Sequence, residues 1–456
     1  MWKIAEDGKY HLLPYHSIDV AAVGWVLMYP GGSHSRRIAA QLSVSPEWLQ
    51  HWFIFLLMFH DIGKFVRAFQ NLVPNLSSDL VPFRGQCIYR MRHDSLGYLL
   101  WKTRLSRLIN DDGVGIGPWM EIVCGHHGQA PRSESRGFES HFYDEDFDAV
   151  DAYVRDVIEW WQPDFSPLRQ IHKQVLSNII WQLAGMAVLT DWLGSNQGLF
   201  NYCREPMPLN EYWNDVALAH APAVLNMTQW EQADVAPFAG IFQQFPFIET
   251  PTPLQRHAAE QVLEQGSQLF VLEDITGAGE TEAAMVLAHR LMAQGGGRGL
   301  YVALPSMATA NAIYGRLSES YRALFGHDNT PSLILAHGAS GLSDDFVESI
   351  AFEHQHPDHS YRADDVRASV YCNAWLADNR KKALLAEVGV GTVDQALLGV
   401  LPTRHQSLRL LGLADKVLLV DEVHAYAPYM LTLLTALLEM HARQGGSAIL
   451  LFASLP

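Results

Sequence analysis

Apolar positions in the first 240 residues recur at the three-to-four-residue spacing of helices rather than alternating as in strands. Long runs of this kind cover residues 46–59, 95–109, 147–161 and 172–193. The last run is apolar enough for a helix inside a domain core. The pattern therefore predicts an all-α domain over residues 1–240.

The pattern changes at about residue 250, where short apolar runs alternate with helical stretches. Strands are predicted at 268–272, 299–304, 332–335, 417–420 and 448–452. Such alternation is typical of βαβ units, in which helices cover both faces of a parallel sheet. We therefore predict an α/β domain with a mostly parallel sheet over residues 250–456. A Pro- and Phe-rich stretch, 237–253, would join the domains, and residues 344–365 would form a polar surface insertion.

Composition narrows the class of protein. The chain has 456 residues, of which 48% are apolar and 18% charged, which excludes a disordered or fibrous chain. Lys and Arg number 32 against 49 Asp and Glu, so the formal net charge is −17. A protein this acidic is not a general binder of polyanions. Any contact with nucleic acid would need a locally basic channel or metal ions.

The cysteines and the apolar runs indicate the cellular compartment of the protein. The four cysteines form no Cys-x-x-Cys pair, which favours reduced thiols over a disulfide scaffold or a zinc ribbon. The first residues contain no apolar signal core, and the longest apolar run, 52–59, is too short to cross a bilayer. We therefore expect a cytoplasmic protein with no membrane partner.

The most distinctive feature of the first half is the dipeptide His60-Asp61, which ends a helical run and precedes Gly63 and Lys64. This dipeptide alone is a weak signal. A carboxylate buried at a helix end needs a partner, and imidazoles with carboxylates suit divalent Mn, Fe, Co, Ni or Zn. Further candidates at helix ends or beside glycine are His16, His93, His126, His127 and Asp191. A structural role is favoured for His11, His34, His51 and His141.

The order of these residues resembles the metal site of HD phosphohydrolases and, more closely, the nuclease domain of type I CRISPR-associated nuclease-helicases. That family has a first His, then His-Asp-x-Gly-Lys, a lone His, a His-His pair and a late Asp followed by Ser. The resemblance implies that Asp61 bridges two divalent metal ions, of Mn, Fe, Co, Ni or Mg. It assigns one ion to His16, His60 and Asp191, and the other to His93, His126 and His127. Lys64 and Ser195 would support these ligands or contact phosphate.

The second half carries three motifs that resemble those of helicases. Residues 252–255 resemble the Q motif, in which Gln255 would read adenine. A Gly-rich turn lies between a predicted strand and helix, the context of a P-loop that cradles ATP. Asp421 and Glu422 begin a DExH-like motif and would hold Mg²⁺ and orient water. Residues 304–311, 375–382 and 391–398 resemble the family's strand-contacting motifs. The P-loop residues would be Thr276, Gly277, Ala278, Gly279, Glu280 and Thr281.

These resemblances cover nearly the whole chain and imply an all-α HD-type domain followed by the first RecA-like helicase lobe, near the type I-E branch. The P-loop departs from the family because Glu280 replaces its lysine. At ~4 Å and an effective dielectric of ~20, a unit charge pair is worth about 4 kcal/mol, here turned from attraction to repulsion. We therefore expect ATP hydrolysis to be lost and nucleotide binding to be weak.

Two further departures concern the final residues. Residues 452–456 differ from the family's Ser-Ala-Thr motif, and we expect the second helicase lobe to be missing. Either a separate chain supplies that lobe, or this chain is a truncated or degenerate product.

Three functions are compatible with these features. The favoured one is metal-dependent cleavage of single-stranded DNA in antiviral defence, with a CRISPR surveillance complex of the Cascade type as partner. The second is a degenerate or split-gene fragment that serves only as a binding module docked on that complex. The third is an HD phosphohydrolase of small nucleotides, against which the helicase-like lobe argues.

Overall fold

The computed structural model describes residues 2–4, 9–326, 331, 333–336 and 384–453. The exceptions within these ranges are positions 74, 75, 78, 79, 81, 83, 84, 86, 87, 109–114, 129, 134–137, 229, 231, 232, 276 and 404. The described residues form two compact units that divide after Trp230. The predicted joining stretch, 237–253, begins a few residues beyond this division. None of the described helices combines the length and apolar composition that a transmembrane span requires.

The first unit is helical. Its α-helices are α1 Leu13–Leu27, α2 Ser33–Leu42, α3 Pro46–Leu57, α4 Arg67–Gln70, α5 His93–Leu100, α6 Ser106–Leu108, α7 Gly117–Cys124, α8 Asp144–Trp161, α9 Lys173–Gly194, α10 Leu209–Tyr212, α11 Leu218–His220 and α12 Ala223–Thr228. Short 3₁₀ helices cover Ile62–Phe65, Phe138–His141 and Ser166–Gln170, and π-helical turns cover Trp101–Leu105 and Trp213–Ala217.

The predicted helical class of this unit is confirmed, with one addition. Two three-residue strands, β1 Trp2–Ile4 and β2 Tyr10–Leu12, pair antiparallel. They are too short to leave an alternating pattern in the sequence. The predicted helix 95–109 is instead α5, continued through a π-helical turn into α6.

Helices α1, α3 and α9 form the centre of the first unit. α3 begins at Pro46, where the Ser45 hydroxyl accepts from the backbone N–H of Trp48. α9 is buried almost continuously over its second half. Close packing of α9 on α1 depends on Gly194, because a Cβ there would lie 2.7 Å from the Cα of Val20. The consequence is that the end of α9 lies directly against α1.

The second unit contains a six-stranded parallel sheet in the order β3-β8-β7-β4-β6-β5. Its strands are β3 Leu269–Asp274, β4 Gly299–Leu304, β5 Leu333–Ala336, β6 Val388–Thr392, β7 Lys416–Val420 and β8 Ala448–Ala453. Its α-helices are α13 Ile241–Gln244, α14 Pro253–Glu260, α15 Glu280–Ala293, α16 Met307–Ser320, α17 Val393–Leu397, α18 Gln406–Ala414 and α19 Pro428–Arg443, with 3₁₀ helices at Tyr321–Leu324 and Val423–Ala425. The predicted parallel α/β architecture is confirmed.

Strands β4, β6 and β7 are buried along their whole length. The strand β6 escaped prediction because two glycines interrupt its apolar pattern. The P-loop-like turn follows β3 and the DExH-like residues follow β7. Parallel strands present their carboxyl ends at one edge, where ligands of α/β sheets bind. Some positions singled out in the sequence lie outside the described residues: 344–365, 375–382, Thr276 and 454–456.

Candidate metal centre and nucleotide loop

The structure brings all seven predicted metal ligands of the first unit into two groups. Within each group the potential ligand atoms lie within 4.8 Å of one another. Six of the seven residues are buried and His127 is partly buried. The groups are His16, His60, Asp61 and Asp191, and His93, His126 and His127.

The carboxylate of Asp61 faces both groups. Its Oδ2 lies 3.2 Å from the Nε2 of His16 and 3.4 Å from that of His60. Its Oδ1 lies 3.4 Å from the Nε2 atoms of His93 and His126. One oxygen thus serves each group, which is the arrangement a bridging ligand needs.

Helix packing places these side chains. His16 lies on α1, and Asp191 lies near the end of α9 with its Oδ1 3.5 Å from the Nε2 of His60. His93 begins α5 beside the turn that carries Asp61. That approach depends on Gly63, because a Cβ there would lie 1.9 Å from the carbonyl oxygen of His93.

Backbone carbonyls orient two of the imidazoles. His60 donates from Nδ1 to the carbonyl of Leu57 at 2.8 Å, and His126 donates to that of Val123 at 2.9 Å. In the neutral imidazole each Nε2 is therefore a lone pair that faces the Asp61 carboxylate. Among the described residues, these two Nε2 atoms and Asp61 Oδ1 are buried without a hydrogen-bond partner. Buried lone pairs beside a carboxylate are costly unless a cation binds them, so the donor set fits a divalent metal.

Charges around Asp61 keep it ionised. Burial alone would raise its pKa, but Lys64 and His60 hold that pKa well below its usual value. Burial lowers the pKa of His60, yet Asp61 and Asp191 raise it to about 9, so a divalent cation would take the place of a proton on its Nε2. Burial lowers the pKa of His93 and His127 well below the usual value, so both are neutral and able to act as ligands.

The two supporting residues predicted by resemblance both touch ligand carboxylates. The buried Lys64 donates from Nζ to Oδ2 of Asp61 at 2.6 Å. Ser195 follows the last residue of α9 and donates from Oγ to Oδ1 of Asp191 at 3.3 Å. Each therefore holds a carboxylate in place.

Sequence reasoning missed the residues that anchor the turn after Asp61. Asp146 accepts from the backbone N–H of Arg67 at 2.8 Å and pairs with its guanidinium. The Gln70 side chain donates to the carbonyl of Lys64 at 2.8 Å. Tyr89 places its hydroxyl 3.1 Å from Nδ1 of His93. No spacing rule signals these contacts, since Asp146 is 79 positions from Arg67.

The P-loop-like turn of the second unit is held by the Q-like motif. Gln255 is buried, and its Nε2 donates to the carbonyl of Gly279 at 3.4 Å. The Thr252 hydroxyl donates to the carbonyl of Ala278 at 2.8 Å. Gly277 and Gly279 have φ values of 88° and 77°, which favour glycine. Gln255 therefore contacts the loop itself.

Carboxylates surround the position where the resembled family has lysine. Glu280 begins α15, with Thr281 next to it. Burial, Asp421 and Asp274 together raise the pKa of Glu280. Burial also raises the pKa of Asp421, the residue that follows β7. Like charges thus gather at the end of the sheet where a nucleotide phosphate would bind.

The DExH-like residues are held by backbone contacts. Asp421 donates from its backbone N–H to the carbonyl of Ala303 at 3.0 Å. Its side-chain Oδ1 accepts from the backbone N–H of Glu422 at 2.8 Å. Glu422 adopts a left-handed backbone conformation with φ of 48°. The loop is therefore ordered by its own hydrogen bonds.

Comparison with known proteins supports this picture. Residues 3–200 match the family described as Cas3, HD domain. The CRISPR-associated endonuclease/helicase Cas3 of Escherichia coli (strain K12) is 32% identical over an alignment 492 positions long, gaps included, which covers 99% of this chain and 53% of that protein. The chain spans about half the length of the curated relatives it matches.

Solved structures share the fold. A crystal structure of T. fusca Cas3-ATP has a TM-score of 0.80 and 28% identity, covering 100% of this chain and 50% of that one. A structure of a CRISPR RNA-guided surveillance complex, pre-nicking, has a TM-score of 0.68 at 24% identity, covering 100% and 47%. These matches show that residues 3–200 belong to the Cas3 HD domain family, and that the chain as a whole is similar to part of the CRISPR-associated endonuclease/helicase Cas3 proteins.

Proposed function

We propose that this chain is a hydrolase that cleaves single-stranded DNA in CRISPR antiviral defence, through a metal centre in its first unit. The observation that carries the proposal is the set of buried lone pairs around Asp61, with the Nε2 atoms of His60 and His126 lacking hydrogen-bond partners among the described residues. The Nε2 atoms of His16, His60, His93 and His126 all lie within 3.4 Å of this one carboxylate, which separately placed structural histidines would not do.

In this proposal one divalent ion is held by His16, His60 and Asp191, and a second by His93, His126 and His127, with Asp61 shared. The ions are drawn from Mn, Fe, Co, Ni or Mg. Bound there, paired divalent ions lower the pKa of water and neutralise the charge on a phosphate.

The chain's own residues keep this centre ready. Lys64 directs Oδ2 of Asp61, and Ser195 directs Oδ1 of Asp191, so neither carboxylate turns away from the imidazoles. Burial of the donor set limits access of bulk water. Because the formal net charge is −17, metal ions rather than a general basic surface would attract the phosphate.

The substrate and the partner come from family membership. Relatives are named endonuclease/helicase or nuclease/helicase, and one similar structure belongs to a surveillance complex. We propose single-stranded DNA as substrate and a Cascade-type complex as the partner that delivers it. Free thiols at Cys124 and Cys203 agree with a reducing cytoplasm.

The test is cleavage of circular single-stranded DNA without ATP, with Mn²⁺, Ni²⁺, Co²⁺ or Mg²⁺. Asp61→Ala removes the shared ligand, and we expect its cleavage rate to fall by more than 100-fold. Asp156→Asn, which alters an exposed carboxylate on α8, is the matched control and should cut at the original rate.

Three results would contradict the proposal. Cleavage by Asp61→Ala at the original rate would mean that the site is elsewhere. The absence of cleavage by folded protein with every metal would favour a binding module. Metal-dependent hydrolysis of nucleoside phosphates without DNA cleavage would favour the small-nucleotide phosphohydrolase.

A second role is proposed for the α/β unit, as a platform that binds without ATP turnover. The observation behind it is Glu280, whose carboxylate faces Asp421 and Asp274 instead of neutralising them. Mg²⁺ held by Asp421, with water oriented by Glu422, would still lack the positive charge that the triphosphate needs. The test is ATPase activity with and without single-stranded DNA. Turnover that disappears in Thr281→Ala would contradict this role.

A further inference from the structure

The imidazoles of the candidate metal centre are oriented by different kinds of partner. His60 and His126 donate from Nδ1 to backbone carbonyls, which only accept, so their Nε2 atoms stay lone pairs. His93 instead has the hydroxyl of Tyr89 3.1 Å from its Nδ1. A hydroxyl either donates or accepts, so this partner alone leaves the tautomer of His93 open.

Contacts from two directions hold Tyr89 in place. Its hydroxyl accepts from the backbone N–H of His93 at 2.7 Å, at the start of α5. Its ring stands edge-on to Phe69, with the ring centroids 5.7 Å apart and the planes at 77°. Phe69 also packs against the His93 ring at 5.6 Å. The hydroxyl is therefore a positioned group beside the imidazole.

The tautomer of His93 matters because of its other nitrogen. The Nε2 atoms of His93 and His127 lie 2.7 Å apart. One cation can bind both lone pairs at this separation, whereas in its absence one of the nitrogens carries a hydrogen and donates to the other. A nitrogen that carries a hydrogen cannot bind a cation. For His93 to act as a ligand through Nε2, its hydrogen has to lie on Nδ1, where the oxygen of Tyr89 accepts it.

We propose that Tyr89 is a positioning residue whose oxygen accepts the Nδ1 hydrogen of His93, and that this bond strengthens the affinity of the group His93, His126 and His127 for its divalent cation. This inference rests on the proposed metal-dependent function. In the other group the orienting bond of His60 ends on a carbonyl, which does not involve Tyr89. The two groups therefore differ in their orienting partners, and Tyr89 acts on only one of them.

The test is titration of the full chain with Mn²⁺, with free Mn²⁺ followed by electron paramagnetic resonance. We expect the original protein to bind two ions. In Tyr89→Phe the first ion should bind unchanged and the second about 10- to 100-fold more weakly, the range for loss of an outer partner of a metal-bound histidine. Tyr98→Phe is the matched control, because it removes the phenol hydroxyl of a nearby tyrosine, which lies on α5. Both affinities should be unchanged in this variant.

Four results would overturn the inference. The first is an unchanged second affinity in Tyr89→Phe. The second is a single bound ion in the original protein. The third is loss of both ions together with a lower melting temperature in Tyr89→Phe, which would mean a merely structural role. Absence of any Mn²⁺ binding by the original protein would overturn the proposed metal centre as well, and so separates the two failures.

Discussion

Each unit has carboxylates at its candidate site, buried in the first and partly buried in the second, but their surroundings are opposite in sign. In the first unit, Asp61 faces imidazole nitrogens and the ammonium of Lys64, which keep its pKa low. In the second unit, Glu280 faces Asp421 and Asp274, which with burial raise its pKa. Lone pairs around Asp61 suit a cation, whereas the P-loop-like turn offers negative charge to a ligand that is itself negative.

The comparison teaches that a recognisable motif and a working site are different things. Both units preserve the backbone expected of their motifs, with close helix packing in one and left-handed glycines in the other. Only the first also preserves the charges that its chemistry needs. A single side chain, Glu280, accounts for most of this difference.

The largest expected effect tests the packing behind the metal centre. In Gly63→Ala the new Cβ would lie 1.9 Å from the carbonyl oxygen of His93 and 2.6 Å from the backbone nitrogen of Gly97. Backbone atoms cannot yield as a flexible side chain does, so we expect a loss of about 3 kcal/mol or more in the free energy of unfolding. The affinity for Mn²⁺ should fall as well. Mn²⁺ titration and thermal unfolding of the same protein measure the two effects.

Gly117→Ala is the matched control for that variant. Among the described residues no atom lies within 4 Å of a Cβ at Gly117, which begins α7. We expect unchanged metal binding and an equal or slightly higher melting temperature, because alanine favours helix more than glycine does. A Gly63→Ala protein as stable as this control would mean that the close approach does not position His93.

A smaller effect is expected from restoring positive charge in the second unit. In Glu280→Lys an ammonium replaces a carboxylate beside Asp421, so repulsion of a triphosphate becomes attraction. We expect Mg-ATP to bind at least tenfold more tightly than in the original protein, measured with a fluorescent ATP analogue. Glu264→Lys makes the same charge change at an exposed position and should have no effect. Equal affinity of the two variants for Mg-ATP would mean that the charge at position 280 does not distinguish the second unit from the first.

The smallest effect is a pH-dependent gain in stability from Glu280→Gln. Because the folded state raises the pKa of Glu280 above the usual 4.5, it binds this proton more tightly than the unfolded chain does. The charged carboxylate is therefore destabilising at pH 7, and that penalty disappears below about pH 4.5. At pH 7 we expect the melting temperature of the glutamine variant to be at most a few degrees above that of the original protein. At pH 4 we expect the two melting temperatures to be equal. Thermal unfolding across this range checks the sign.

Prediction from sequence succeeded where the signal was local. The span 299–304 is a strand with those bounds, and the core helix 172–193 differs from α9 by one residue at each end. Residues whose role depends on distant contacts were not predicted. Asp146 is an example, because nothing near it in the chain marks its hydrogen bond to Arg67, 79 positions away. Tyr89 lies only four positions from His93, yet no sequence pattern marks that contact either. Their roles as metal supports, like those of the ligands, remain predictions for the experiments above.

The sequence by itself determined the residue types, their order and the fold class. Periodicity specifies helices and strands locally, and Glu280 reverses a charge whatever the surrounding geometry is. Only the tertiary structure decided that Asp61 presents one oxygen to each imidazole group, and that Gln255 contacts the P-loop-like turn. The physical reason is that these contacts join residues far apart in the chain. Helix packing through Gly63 and Gly194 sets such distances, and local pattern carries no record of them.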